Sequence, residues 1–151
     1  MKNIARSARR SPFLAYDRGH GVAVDSSENV YIIGLGEGSR DENLHGGLRN
    51  IFLTKYDADG NKQWIRQIGH GTNDETFIIA VDQCGNIYIT GRIFKDWDGT
   101  NHGEYQDLFI VSYDADGTKR WTRKLGTASA GKAREIDVDR NGDIFINGDS
   151  P

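Results

Sequence analysis

Short apolar runs alternate with turn-forming residues along most of the chain, and the runs return at a fixed interval. Val22-Ala23-Val24, Ile79-Ala80-Val81 and Ile136-Asp137-Val138 each place large β-branched residues on one side and a small or polar residue on the other. That is the period-2 pattern of a strand. Asn29 to Gly34, Asn86 to Gly91 and Asp143 to Gly148 follow as nearly continuous apolar runs, as expected of strands buried on both faces. A third strand is predicted over 51–56 and 108–113, and a fourth over 62–68 and 119–125. Helical periodicity is absent, since no stretch repeats apolar residues at three- and four-residue steps between caps.

The interval is 57 residues. It separates Asp25 from Asp82 and Asp82 from Asp139, and also Tyr56 from Tyr113 and Trp64 from Trp121. About twenty positions are identical between 21–69 and 78–126 without a gap, and a third copy starts near Arg134. Asp57-Ala58-Asp59-Gly60 and Asp114-Ala115-Asp116-Gly117 join strands three and four, with Gly supplying the positive φ of a tight hairpin. Four hairpin-linked antiparallel strands per repeat of this length predict an all-β fold of β-propeller blades, two complete and others partial. An internally duplicated β-sandwich is the competing architecture, and a third repeat start fits a radial array better. The expected organisation is an N-terminal segment over 1–20, blades over 21–69 and 70–126, and half a blade over 127–151. Residues Lys2 to Pro12 fall where a fourth strand would precede the first blade, with an eroded apolar pattern.

The combined pattern V-D-x-x-G-N-x-Y-x-x-G, then F-x-x-x-Y-D-x-D-G-x-x-x-W-x-R-x-x-G, resembles the bacterial SBBP family of β-propeller repeats over roughly residues 21–148. Glu28 stands where the family's first turn glycine is expected. The resemblance implies a propeller module of large, often secreted or surface-attached bacterial proteins, and it brings no catalytic residues with it.

Composition narrows the function. A net charge of −3 with scattered Lys and Arg argues against a general nucleic-acid binder, and Arg6, Arg9 and Arg10 read as a solvated tail. No apolar run reaches the ~18 residues of a membrane span, and no apolar segment behind the basic N-terminus marks a signal peptide. The single cysteine, Cys84, excludes an internal disulfide and sits in a turn without a basic neighbour. The Asp-x-Asp-Gly segments lack the remaining ligands of a calcium loop and are expected to be turns. No nucleophile elbow or phosphate loop is present, and no cofactor or metal is expected.

Antiparallel blades send their connections alternately to two ends, and long segments collect at one of them. Leu35 to Asn50 and Arg92 to Asp107 therefore define the candidate binding end. Asp41 and His45 recur there as Asp98 and His102, while Trp97, flanked by Asp96, has Arg40 as its counterpart. These six side chains, Asp41, His45, Asp96, Trp97, Asp98 and His102, are the candidate ligand-binding set. An aromatic ring beside carboxylates suits a sugar face or a protein anchor. A non-catalytic binding or scaffold module of unassigned ligand is favoured. A lectin-like carbohydrate-binding module and a lyase or hydrolase using His102 with Asp96 or Asp98 are the alternatives. Unpaired edges and apolar faces at both ends of the array predict self-association into a homo-oligomer, through blade faces or strand edges.

Overall fold

The computed structural model describes residues 17–37, 49–71, 77–93, 107–127 and 132–149. Among them lie ten strands and no helix, so the fold is all-β. The first sheet holds β1 (Asp17–Val24), β2 (Val30–Glu37), β3 (Arg49–Tyr56) and β4 (Lys62–Gly71) in that order. The second holds β5 (Phe77–Val81), β6 (Ile87–Ile93), β7 (Asp107–Tyr113) and β8 (Lys119–Thr127), again in chain order. A two-stranded sheet follows, β9 (Ala133–Val138) with β10 (Ile144–Gly148). Every neighbouring pair is antiparallel. These are propeller blades, two of four strands and a third represented by its first two.

The strands outrun the apolar pattern that predicts them, notably β1, which starts at Asp17, and β4, which ends at Gly71. Irregularities recur at the interval of the repeat. The ladder slips between Ile51 and Phe52 and between Lys55 and Tyr56, then between Leu108 and Phe109 and between Ser112 and Tyr113. Bulges bend a strand and raise its twist, so both blades carry the same curvature at the same places.

The second blade shares its two faces between two neighbours. Tyr31, Ile33, Leu35, Ile51 and Leu53 of the first blade form one core with Ile79, Ile87, Ile89, Phe109, Val111 and Tyr113 of the second. The opposite face of the second blade, Ala80, Tyr88 and Ile110, closes on Ile136, with Ile144 and Ile146 packed against it. Adjacent residues of β6 thus enter different cores, which is why its sequence is apolar without alternation. Thr90, fully buried, is reconciled with this interior by donating to the carbonyl of Phe109 at 2.7 Å. Gly34 answers a closer approach, because a Cβ there would lie 2.6 Å from the carbonyl oxygen of Arg18 on the adjoining strand.

The five hairpin turns among the described residues have one geometry. The first Asp donates its N–H to the residue four on and accepts from the N–H three on, as in Asp57 N to Asn61 O at 2.9 Å and Gly60 N to Asp57 O at 3.0 Å. The fourth turn residue adopts the left-handed region, with φ 80 to 83° at Gly60, Gly85, Gly117 and Gly142. Glu28 holds this place in the first turn at φ 63°, a conformation in which its Cβ is strained. Glu28→Gly is expected to stabilise the chain by about 1 kcal/mol in thermal or urea unfolding. An unchanged or lower midpoint would show that the strain at Glu28 is offset locally.

Candidate functional site

The two ends of the blades differ in what their polar groups are left to do. At the hairpin end each turn is closed by its own aspartate. Asp25 Oδ1 accepts from the N–H groups of Ser27 and Asn29, both at 2.9 Å. Its Oδ2 accepts from Asn29 Nδ2 at 2.9 Å and from the hydroxyl of Tyr31 at 3.0 Å. Asp82 repeats the set with Cys84, Asn86 and Tyr88. Asp57 binds Asp59, Asn61 and Gln63 the same way, and Asp114 and Asp139 keep the two backbone contacts. The repeat motif D-x-x-G-N-x-Y is therefore a turn clamp, with Tyr bracing the carboxylate that closes the turn. Cys84 is exposed in one of these turns.

Charge follows from this geometry. Burial disfavours the Asp25 carboxylate most strongly, yet hydrogen bonds from Asn29, Tyr31 and Ser27 together outweigh it and hold its pKa below the usual carboxylate value. Asp57 is also held low, first by the backbone N–H of Asn61. Tyr31 titrates well above an ordinary phenol, through burial first and its bond to Asp25 second. A carboxylate with a depressed folded pKa stabilises the fold above its unfolded value, and that contribution disappears as pH falls through the folded pKa. The melting temperature is thus expected to hold above about pH 4 and to decline below it. Asp25→Asn should flatten that decline, and an acid limb identical to the parent's would remove Asp25 from the account.

The opposite end is where the connecting segments leave the sheets. Glu37 pairs with Arg49 and Ile93 with Asp107 in the ladders, so segments 38–48 and 94–106 each start and finish at this end. Arg49 also pairs with Gly71 and Asp107 with Thr127, which brings the inter-blade segments 72–76 and 128–131 to the same end. Asp41, His45, Asp96, Trp97, Asp98 and His102 all lie on these segments, outside the described residues. Two polar groups of the strands are described on this side of the hairpins. Arg134 and Asp149 form a forked ion pair with N–O distances of 2.7 to 3.0 Å, exposed on the third blade. His20 sits at the β1 bulge, half-buried, its pKa lowered by burial first and by Arg18 second. Among the described residues no group of three or more His, Cys, Asp or Glu could hold a metal ion. Among the described residues no helix is long and apolar enough to cross a membrane.

A second cluster joins the blades and is less evident in the sequence. Trp64 Nε1 and Lys55 Nζ both donate to the carbonyl of Ala115 at 3.2 Å, and Arg66 Nη2 donates to that of Asp116 at 3.2 Å. Lys55 and Arg66 also lie over the Tyr31 and Trp64 rings at 5.3 Å. The strand-four pattern W-x-R, identical in both full copies, was the available signal for this contact. It requires a partner turn 51 residues away, which no local pattern reveals.

Blades of this construction, clamped at one end and open to loops at the other, define a β-propeller repeat module. The family model for the SBBP β-propeller repeat matches residues 63–93, and the chain carries that repeat. Among curated proteins, the chain is 32% identical over 120 residues to an uncharacterised WD repeat-containing protein, L264, of Acanthamoeba polyphaga mimivirus. It is 26% identical over 112 residues to the regulatory protein FlaEY of Caulobacter vibrioides. These matches cover 68% and 69% of this chain. The chain spans only 9% and 12% of the length of those relatives.

Proposed function

We propose that the chain is a non-catalytic binding scaffold that presents a ligand-contacting surface on the loop end of its blades. One contrast supports the reading above others. The first aspartate of each hairpin is taken up in closing its own turn, whereas the candidate Asp, His and Trp side chains fall on two of the connecting segments that leave the other end, 38–48 and 94–106. Rigid strands carrying variable loops are the usual basis of recognition. The name of the Caulobacter relative, a regulatory protein, accords with a binding role.

Trp97 is the expected anchor of a glycan or protein ligand, with Asp96, Asp98 and His102 beside it in sequence and Asp41 and His45 on the preceding blade's loop. Screening the chain on a glycan array and against immobilised protein fractions provides the ligand. Trp97→Ala should then weaken binding at least about tenfold, as interface aromatics do, while leaving unfolding unchanged. Undiminished binding would remove the loop end from the reading.

Self-association belongs to the same proposal and involves the outward face of the first blade, where Val22 is 64% and Val24 46% exposed. Apolar side chains of one blade are ordinarily covered by another, and a face meeting its own copy gives a closed dimer. Size-exclusion chromatography with light scattering should return a mass above the 16.8 kDa of one chain. A monomer that persists at high concentration would sink it.

A further inference from the structure

The far side of the second blade repeats, nearly group for group, the surface with which the first blade holds its neighbour. Trp121 stands against Tyr88 with ring centroids 6.1 Å apart, as Trp64 stands against Tyr31 at 6.2 Å. Arg123 lies over the Trp121 ring at 5.5 Å, as Arg66 lies over Trp64 at 5.3 Å. The indole of Trp64 has the Ala115 carbonyl to donate to. Among the described residues, no hydrogen bond is made by that of Trp121. Ser112, which pairs with Trp121 in the ladder, keeps a buried hydroxyl without a partner among the described residues.

Exposure tells the same story. Ile68, covered by the next blade, is 8% exposed, and its counterpart Leu125 is 44%. Tyr31 and Tyr88 are buried, while Phe145 at the equivalent place in β10 is 59% exposed. The strands equivalent to β10 each carry a third strand on their outer edge, β3 beside β2 and β7 beside β6. Among the described residues β10 pairs with β9 alone.

We propose that the Trp121–Leu125 face and the outer edge of β10 form a socket for a β-hairpin of the chain's own repeat type. The junction between the first two blades specifies the occupant. Its first strand pairs antiparallel with Ile144–Gly148, as Asp107–Tyr113 pairs with β6. Its turn reads Asp-Ala-Asp-Gly, so that the Ala carbonyl reaches the Trp121 indole. Glycine ends the turn because a Cβ at Gly117, in the occupied junction, would lie 3.2 Å from the Trp64 ring. A whole blade does not fit, since β9 and β10 already fill the inner half of that position. The socket is separate from the loop end and from the Val22 face, and stands or falls independently of both.

A synthetic peptide with the sequence of residues 107–127, titrated into the full chain and followed by NMR, tests the proposal. The Trp121 indole N–H, assigned through Trp121→Phe, should shift, and the amides of β10 should exchange more slowly with solvent. Trp121→Phe, which keeps the ring and loses the donor, should weaken binding by about three- to tenfold, the effect of one hydrogen bond. A peptide carrying Gly117→Val should not bind, and Trp97→Ala in the protein should change nothing. No shift at Trp121 or β10 at millimolar peptide would overturn the socket. Equal binding of the valine peptide, or effects confined to the Val22 and Val24 side, would do the same.

Discussion

Trp64→Ala should destabilise the chain by about 3 kcal/mol, near the lower end of the range for removing a buried aromatic. Trp64 is half-buried, but its loss takes several things away together. The ring packs on Tyr31, supports the Arg66 guanidinium and covers Gly117, and its N–H satisfies half of what Ala115 O accepts. Trp121→Ala removes the same side chain from the same place in the repeat. It should cost only about 1 kcal/mol, because no second turn sits on that ring among the described residues. Urea unfolding of the two variants measures the difference. Equal losses would mean that both tryptophans act within their own blades, and the junction would lose its special weight.

Gly117→Val should be the most disruptive change in a turn, at about 3 kcal/mol or more. Two penalties combine in it. Gly117 has a φ of 80°, where a β-branched residue is strongly disfavoured. Its added Cβ would also stand 3.0 Å from Arg66 Cγ and 3.2 Å from the indole carbons of Trp64. Gly142→Val provides the control. It shares the dihedral penalty at φ 83°, but a Cβ there meets nothing within 4 Å, so the loss should be about half as large. Circular dichroism melts of both variants decide the point, and matching melting temperatures would assign the whole effect to the backbone.

Much of the fold could be read from the chain because its determinants are local. The turn aspartates, the glycines after them and the apolar runs between them act within six residues of one another, and their recurrence marks the blades. Glu28 illustrates the power of the register, since its unusual φ falls where the repeat expects glycine. Contacts across blades were not legible in this way. The role of Trp64 depends on a carbonyl 51 residues away, and Lys55 meets that same carbonyl from a position where the other copy has Ser112. Identity between copies flagged Trp64 and Arg66 as important without saying what they touch. Repetition gave a poorer guide to the loop end, where Asp41, His45, Asp98 and His102 recur but Trp97 does not. In the proposed reading these residues answer to a ligand's shape, which strand periodicity does not encode.

The turn clamps have a kinetic consequence. Each Asp closes its hairpin through atoms two to six residues distant, so every hairpin can form from its own short stretch of chain. The bonds that join the first blade to the second span 50, 51, 57 and 60 residues, about one repeat each. Appending another blade would add more closures of that length without lengthening any existing one. The entropic barrier to ordering the array is therefore set by a single repeat, and growth can begin at whichever hairpin forms first.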